Sequence, residues 1–178
     1  TRENCQRISR FAFEYAVATG RRKITVVHKA NILKALTGLF LETVTAIAKE
    51  YEGKVLLEER IVDNCAMQLV INPSQFDIIL TTNMFGDILS DEIAGLIGGL
   101  GPAPGANVGT HAAMFEAVHC SAPHIAGHGI ANPTAPNPTA IHTASEMTGE
   151  RSARGSPTIA SGGGARYGCM TRSSQWTP

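Results

Sequence analysis

Apolar side chains recur at helical spacing at the start of the chain and then give way to short β-branched runs. The first repeat predicts a helix that ends at Gly20, a residue type that commonly closes helices. KITVVH (23–28) predicts a strand. Residues 33–51 predict a long amphipathic helix, and its apolar side is expected to carry Leu36, Leu39, Phe40, Val44 and Ile47.

The same alternation continues to about residue 118, with three further strands and two further helices. In chain order, we predict a strand over 54–62, a helix over 63–71, a strand over 76–82, a helix over 86–101 and a strand over 112–118. Asp63 is the expected N-cap of the first of these helices, and Asn72-Pro73 is its expected stop. Alternating strands and helices indicate an α/β fold with an at least partly parallel sheet.

The composition changes near residue 136. Residues 136–178 contain several prolines, an SGGG run, many Ser and Thr and few large apolar side chains. Such a segment buries little surface to offset an ordering cost of roughly 1–2 kcal/mol per residue. We therefore predict one domain over 1–135 and a disordered or weakly packed tail over 136–178, a change that a reading-frame shift near residue 135 would also produce.

Composition narrows the possible function classes. Fifteen basic and fifteen acidic residues cancel, so the overall charge favours neither nucleic acid nor an anionic membrane. The sequence has no apolar run long enough to span a membrane, and its four scattered cysteines indicate free thiols in a reducing compartment, the cytoplasm or the mitochondrial matrix. Because the chain opens on Thr1 within a predicted helix, we expect it to be cut from a longer protein, and processing to a mature form is the alternative.

Two aspartates give the sharpest local signal. Asp87 and Asp91 are four residues apart, so both carboxylates lie on one face near the start of their predicted helix. They repel each other unless a positive charge lies between them, and a hard cation such as Mg²⁺ or Mn²⁺ supplies such a charge. The alternative is an acidic first turn that only interacts with the helix dipole, and the spacing leaves both interpretations open.

Lys29 follows a predicted strand at its carboxyl end, where α/β sheets form their ligand crevice. A lysine there can donate or accept a proton, and the alternative is a solvated loop lysine. We interpret the preceding His28 as a structural or core-edge histidine. The glycine-rich stretch over 95–109 lacks the spacing of a phosphate-binding motif and is interpreted as a helix exit and a tight turn.

An irregular, histidine-containing stretch over 115–135 favours a functional loop. Its three histidines, His119, His124 and His128, are five and four residues apart and lack a cysteine pair, so they give only weak support for a zinc site.

Four specific motifs occur along residues 1–135: HKANI (28–32), PSQFD (73–77), NMFGDILSDEIAGLIGGLG (83–101) and FEAVH-SAP-IAG-GIANPTA (115–135). In their order and spacing they resemble the β-decarboxylating dehydrogenases, the family of isocitrate and isopropylmalate dehydrogenases. His28 before Lys29 resembles the NAD-type isocitrate branch. The resemblance implies the carboxy-terminal half of an isocitrate/isopropylmalate dehydrogenase-like α/β fold.

The activity that the resemblance implies is NAD-dependent oxidative decarboxylation of isocitrate to 2-oxoglutarate with Mg²⁺ or Mn²⁺, by a chain expected to be inactive alone. Three alternatives stay open: a non-catalytic or regulatory subunit of a hetero-oligomeric dehydrogenase, an enzyme of the isopropylmalate type, and a non-functional gene fragment.

The resemblance also implies roles for individual residues. Lys29 corresponds to the catalytic lysine, and Asn31 to a residue lining the substrate and the nicotinamide. Asp63, Asp87 and Asp91 correspond to metal ligands, with Asp63 supplied to the neighbouring subunit, which implies a homo- or hetero-oligomer with a shared active site. The implied cofactor-binding residues are Glu116, His119, Ser121, Ala122, His124 and Asn132.

Parts of the family pattern are altered or absent. The family's VHGSAPDIAG is VHCSAPHIAG here, so Cys120 replaces a glycine and His124 an aspartate that would accept hydrogen bonds from a ribose. We therefore expect weaker cofactor binding and a blurred preference for NAD. The family's substrate-clamping arginines precede the matched region, and we interpret Arg2, Arg7 and Arg10 as surface charges rather than as substitutes.

Overall fold

The computed structural model describes residues 1–99, 104–109, 113–117, 123–130, 158–163 and 166–169. The helices of these residues are α1 (Arg2–Thr19), α2 (Lys34–Ala48), α3 (Val62–Ile71) and α4 (Asn83–Leu96), with short 3-10 turns at Lys49–Tyr51 and Pro73–Gln75. The strands are β1 (Lys23–His28), β2 (Leu56–Ile61), β3 (Ile78–Thr82), β4 (Pro104–Val108), β5 (Ala113–Ala117), β6 (Thr158–Gly163) and β7 (Arg166–Cys169).

The strands form one mixed sheet in the order β2-β1-β3-β6-β7-β4-β5. The strands β2, β1, β3 and β6 run parallel to one another, whereas the pairs β6–β7, β7–β4 and β4–β5 are antiparallel. This mixed sheet confirms the predicted α/β fold. It also brings the carboxyl ends of β2, β1 and β3 to one edge of the sheet.

Helices cover both faces of the parallel strands, because successive side chains of a strand point to opposite faces. On one face, Val26 of β1 packs in a cluster with Phe13 of α1 and with Phe40 and Val44 of α2. The opposite face carries a second cluster, formed by β1, β3, α3 and α4 and containing Val27, Ile79, Cys65, Leu69, Leu89 and Ile93. Burial on both faces explains why β1 and β3 have nearly continuous apolar sequences.

Helix ends follow the signals in the sequence. α1 ends at Gly20, whose φ of 69° is the left-handed conformation that glycine adopts without strain. α4 ends before Gly98 and Gly99, which also have positive φ angles, and α3 ends at Ile71, directly before Asn72-Pro73.

Helix starts and one buried face differ from the sequence predictions. Ile61 occupies the N-cap position of α3, so Asp63 lies inside the first turn and does not cap the helix. α4 begins at Asn83 rather than at residue 86, because the chain turns into the helix directly after β3. Leu36 is 64% exposed, since the buried stripe of α2 runs through Thr37 and Phe40 instead.

The glycine-rich stretch contains a strand that the sequence did not predict. β4 lies within residues 95–109, where we expected only a helix exit and a turn, and it pairs with β5 and β7. Its sequence, PGANV, contains proline and glycine, which are uncommon in strands, and one of its two partners, β7, lies far along the chain.

Two described strands come from the segment over 136–178. β6 pairs parallel with β3, and β7 pairs with β6 and β4. The other residues of this segment lie outside the described part of the chain, so the weakly packed tail and its boundary near residue 135 stay predictions.

Arg2 and Arg10 join α1 to α2 and to the 3-10 turn that follows α2. Arg2 pairs with Glu42, Arg10 pairs with Glu50, and all four side chains are about half exposed or more. This confirms the interpretation of Arg2 and Arg10 as surface charges.

Asp77 ties the start of β1 to the start of β3. Its Oδ2 accepts hydrogen bonds from the backbone N–H groups of Arg22 at 2.7 Å and Lys23 at 3.3 Å, and its Oδ1 accepts one from Arg21 Nη1 at 3.0 Å. We expect Asp77→Ala to lower the free energy of unfolding by about 2 kcal/mol, because it removes charge-assisted bonds to partly buried groups. Urea denaturation measures this change. The control is Glu42→Ala, which breaks an exposed ion pair and should cost less than about 1 kcal/mol; equal losses would contradict the prediction.

Cys65 lies in the cluster under α3 and α4 and is fully buried. Burial raises the pKa of its thiol to about 12, so the reactive thiolate is scarce at neutral pH. We expect iodoacetamide to label the half-buried Cys5 much faster than Cys65 in the folded chain, with the difference disappearing in denaturant. Peptide mass spectrometry measures both rates, and comparable labelling of the folded chain would count against this description of Cys65.

Candidate functional site

The parallel strands bring the predicted polar residues to one edge of the sheet. Lys29 directly follows β1, Asp63 follows β2 in the first turn of α3, and Asp87 follows β3 in α4. Because β1 lies between β2 and β3 and all three run the same way, these residues follow the strands' carboxyl ends, where α/β proteins bind ligands. Asn31 is exposed in the turn after Lys29.

Lys29 and Asp63 meet across this edge. The Nζ of Lys29 donates a hydrogen bond to Asp63 Oδ1 and forms an ion pair with it. This hydrogen bond lowers the pKa of the Asp63 carboxyl. The side chain of Lys29 is only 22% exposed, which favours a residue of the site over a freely solvated loop lysine.

Asp87 has an unusual environment for a carboxylate. Its Oδ1 is buried and has no hydrogen-bond partner among the described residues, whereas Asp91, one turn later, is exposed. Burying a charged oxygen without a partner costs free energy. A divalent cation is the partner that such an all-oxygen donor set fits, so the residues present are compatible with Mg²⁺ or Mn²⁺.

The three predicted metal ligands do not form one group within this chain. Over the described ranges, no cluster of three or more His, Cys, Asp or Glu side chains is arranged to hold a cation. The role of Asp63 at the site of a neighbouring subunit stays a prediction.

α3 and α4 carry exposed apolar stripes. Their members, each about half exposed or more, are Met67, Val70 and Ile71 on α3 and Met84, Ile88 and Leu96 on α4. Asp63 lies four residues before Met67, and Asp91 lies three residues after Ile88, so both carboxylates border these stripes. Adjacent helices with exposed apolar side chains are typical of a surface that another protein covers.

His28 is 3% exposed, in agreement with its interpretation as a structural histidine. Its ring lies within hydrogen-bond distance of Glu59 and of the Ala30 backbone N–H. Thr37, at the start of α2, accepts a hydrogen bond from the backbone N–H of Lys29. Sequence reasoning missed Glu59 and Thr37, because neither belongs to a motif and both contacts join different elements.

Most of the predicted cofactor loop lies outside the described residues, including His119, Cys120, Ser121, Ala122 and Asn132. Glu116 lies on β5, where its backbone but not its side chain is described, and His124 and His128 are exposed in the turn over 123–130. The cofactor contacts and the zinc alternative therefore stay predictions.

A membrane-spanning segment is not seen among the described helices, none of which combines the necessary length and hydrophobicity.

Known proteins resemble this chain closely over its first three quarters. The family described as isocitrate/isopropylmalate dehydrogenase matches residues 1–145. Homoisocitrate dehydrogenase of Methanocaldococcus jannaschii is 56% identical over 135 residues, which cover 76% of this chain and 38% of that protein. One of the regulatory subunits of the mitochondrial NAD isocitrate dehydrogenase of Dictyostelium discoideum is 49% identical over 136 residues, with 76% and 38% covered.

A solved structure shows the same fold. The crystal structure of isocitrate dehydrogenase from Methylococcus capsulatus matches with a TM-score of 0.77 and 58% identity, covering 84% of this chain and 44% of that one. The chain thus spans less than half the length of these relatives. Their names include different hydroxy acids, so the similarity identifies a family of dehydrogenases without selecting one substrate. This chain belongs to the isocitrate/isopropylmalate dehydrogenase family.

Proposed function

We propose that this chain is the part of an NAD-dependent dehydrogenase that carries Lys29, the metal ligands and the cofactor loop, and that the whole enzyme oxidatively decarboxylates isocitrate to 2-oxoglutarate with Mg²⁺ or Mn²⁺. The observation that carries the proposal is the pairing of Lys29 with Asp63 on the same sheet edge as the unpartnered, buried oxygen of Asp87. His28 before Lys29 supports isocitrate over isopropylmalate.

Each side chain has a role that follows from its position. Asp87 and Asp91 offer carboxylate oxygens to the cation, and Asp63 offers another to the site of the neighbouring subunit. A divalent cation held by Asp87, Asp91 and an aspartate of the neighbouring subunit would supply Lewis-acid polarisation of the substrate hydroxyl group and of the carbonyl that replaces it. Lys29 exchanges a proton with the substrate at the oxygen that is oxidised. Bound NAD supplies the acceptor for the hydride.

The neighbouring subunit is a second dehydrogenase chain, either another copy of this one or a related subunit. The apolar stripes of α3 and α4 support this, because Asp63 and Asp91 border them and a chain that covers the stripes would bring its own groups next to both carboxylates. The cytoplasm and the mitochondrial matrix both provide the substrate and the reducing conditions that the proposal requires.

An activity assay tests this function. The chain is mixed with Mg²⁺, NAD and isocitrate, isopropylmalate or homoisocitrate, alone and after co-expression with the part of a family enzyme that precedes the matched region, and NADH absorbance is followed. We expect no turnover by the chain alone, turnover of isocitrate by the complemented enzyme, and its loss in Lys29→Met. If the complemented enzyme oxidised only isopropylmalate or only homoisocitrate, that acid would replace isocitrate as the proposed substrate. If it oxidised none of the three acids, the proposal would be contradicted.

A regulatory subunit is the second candidate. It is supported by the similarity to a regulatory subunit from Dictyostelium discoideum and by Cys120 and His124, which replace two residues of the family's cofactor loop. A chain of this kind would be inactive after complementation but would change the activity of a catalytic dehydrogenase subunit mixed with it, which the same absorbance assay measures.

A further inference from the structure

We propose that His28 and Thr37 are positioning residues that hold the backbone of Lys29, so that its amine is directed across the sheet edge to Asp63. The catalytic importance of this arrangement rests on the function proposed above for Lys29. The arrangement itself rests on the hydrogen bonds around Lys29 and can be tested without any catalysis.

Every backbone polar group of Lys29 has a partner. Its N–H donates to Thr37 Oγ1 at 3.3 Å, and its carbonyl oxygen accepts from the N–H groups of Ile32 at 3.0 Å and Leu33 at 2.8 Å. The next N–H, that of Ala30, donates to His28 Nδ1 at 3.0 Å. The turn that carries Lys29 is therefore bonded on both sides of the residue, with buried side chains supplying two of the acceptors.

These bonds determine the form of the His28 ring. Because the Ala30 N–H can only donate, His28 Nδ1 must be the unprotonated acceptor, and the ring proton is on Nε2. Nε2 then donates to Glu59 Oε1 at 3.0 Å. The ring is 4% exposed, so water can hardly replace these two hydrogen-bond partners. His28 thus links β2 to the turn that follows β1.

The sheet register explains why these groups converge. Glu59 is the register partner of Val26, and His28 lies two residues after Val26 on the same face of the sheet. This is the face that α2 covers, through Phe40 and Val44. Thr37, one helical turn before Phe40 and Leu41, is fully buried on the same side of α2. Strand β2, the turn after β1 and helix α2 therefore meet around Lys29. Its backbone is held in place, and only its side chain remains to be oriented for reaction.

Two substitutions of His28 distinguish a role in positioning Lys29 through hydrogen bonds from a role that only fills space in the core. In His28→Asn, the side-chain oxygen can still accept from the N–H two residues later, as in an Asx turn, but it cannot reach Glu59. In His28→Gln, the longer amide can donate to Glu59 but leaves the Ala30 N–H without its acceptor. Both side chains are polar amides of similar bulk, so each is the control for the other. Thr37→Val and Thr37→Ser form a second pair, because they remove and retain the hydroxyl.

The experiment is NMR spectroscopy of the 178-residue chain, which reports the ring tautomer, the hydrogen exchange of the Lys29 and Ala30 amides, and the contact between the Lys29 and Asp63 side chains. We expect the Nε2–H tautomer. His28→Gln should speed exchange of the Ala30 amide roughly three- to tenfold, and Thr37→Val should do the same for the Lys29 amide, as expected for the loss of one hydrogen bond. Both should weaken the Lys29–Asp63 contact, whereas His28→Asn and Thr37→Ser should largely keep it.

A His28 ring protonated at Nδ1 would overturn the inference. So would amide hydrogen exchange that is equally fast in the two His28 variants and in the two Thr37 variants. In the complemented enzyme, His28→Gln should lower kcat about tenfold more than His28→Asn, with similar KM values. If Lys29→Met abolishes activity while His28→Gln leaves kcat and the contact with Asp63 unchanged, the positioning role is wrong. If Lys29→Met leaves activity unchanged while the NMR results are as expected, the hydrogen bonds around Lys29 are confirmed and the proposed function is wrong.

Discussion

Replacing Asp87 with Asn is expected to weaken Mg²⁺ or Mn²⁺ binding by roughly 100-fold, an effect at least as large as that of removing a group that only orients a metal ligand. The buried Oδ1 of Asp87 has no other partner among the described residues, so nothing compensates for the lost charge. Isothermal titration calorimetry with each metal measures the dissociation constant.

The control for this substitution is Glu92→Gln, which removes one negative charge from the same helix at a position outside the proposed ligand set. It should change the metal dissociation constant less than about threefold, as expected for a partly screened charge.

A second readout, the free energy of unfolding, separates metal binding from folding. Without metal, Asp87→Asn should leave the free energy of unfolding unchanged or raise it, because it removes an unpaired buried charge. Saturating metal should stabilise the wild-type chain more than the variant. Equal metal affinity in both chains would contradict the assignment of Asp87.

Replacing Phe13 with Ala is expected to lower the free energy of unfolding by about 3–5 kcal/mol, the range for deleting a buried aromatic ring. Phe13 is fully buried in the cluster between α1, α2 and the sheet. Its ring is stacked on that of Tyr51, with centroids 5.0 Å apart, so the substitution also removes an aromatic contact. Urea denaturation followed by circular dichroism measures the loss.

Phe11→Ala is the matched control, because Phe11 is the same residue type, two positions earlier on α1, and only half-buried. Its substitution should cost less than half as much, since less apolar surface is returned to water. If the two variants lose equal stability, the face of α1 that packs on the sheet has been assigned incorrectly.

Local patterns predicted most of the elements correctly, and the reason is physical. The β-branched run over 23–28 is a strand because it is buried on both faces, and Gly20 and Asn72-Pro73 end their helices through backbone constraints that need no distant partner. Leu36 was assigned to the wrong face because apolar residues lie on more than one side of α2. β4 was missed because its sequence, PGANV, contains proline and glycine, which are uncommon in strands, and because one of its two partners, β7, lies far along the chain.

Some features of the candidate site could likewise be predicted from the sequence, and others could not. The position of Lys29 after a strand and the spacing of Asp87 and Asp91 were visible in the sequence, and the motifs around them resembled a family that the comparisons confirm. The cofactor-loop residues stay predictions, because most of them lie outside the described residues.

The sequence by itself determined the four described helices, the strands β1, β2, β3 and β5, the candidate site residues and the family, because each depends on residue types at short range or on motifs in order. Only the tertiary structure decided which of these residues meet. Parallel pairing of β1 with β2 places Lys29 beside Asp63, and packing of α2 against the sheet brings Thr37 to the backbone of the same lysine. The burial of one oxygen of Asp87 also follows from packing. Contacts of this kind depend on sheet order and helix docking, for which side-chain spacing along the chain contains no direct signal.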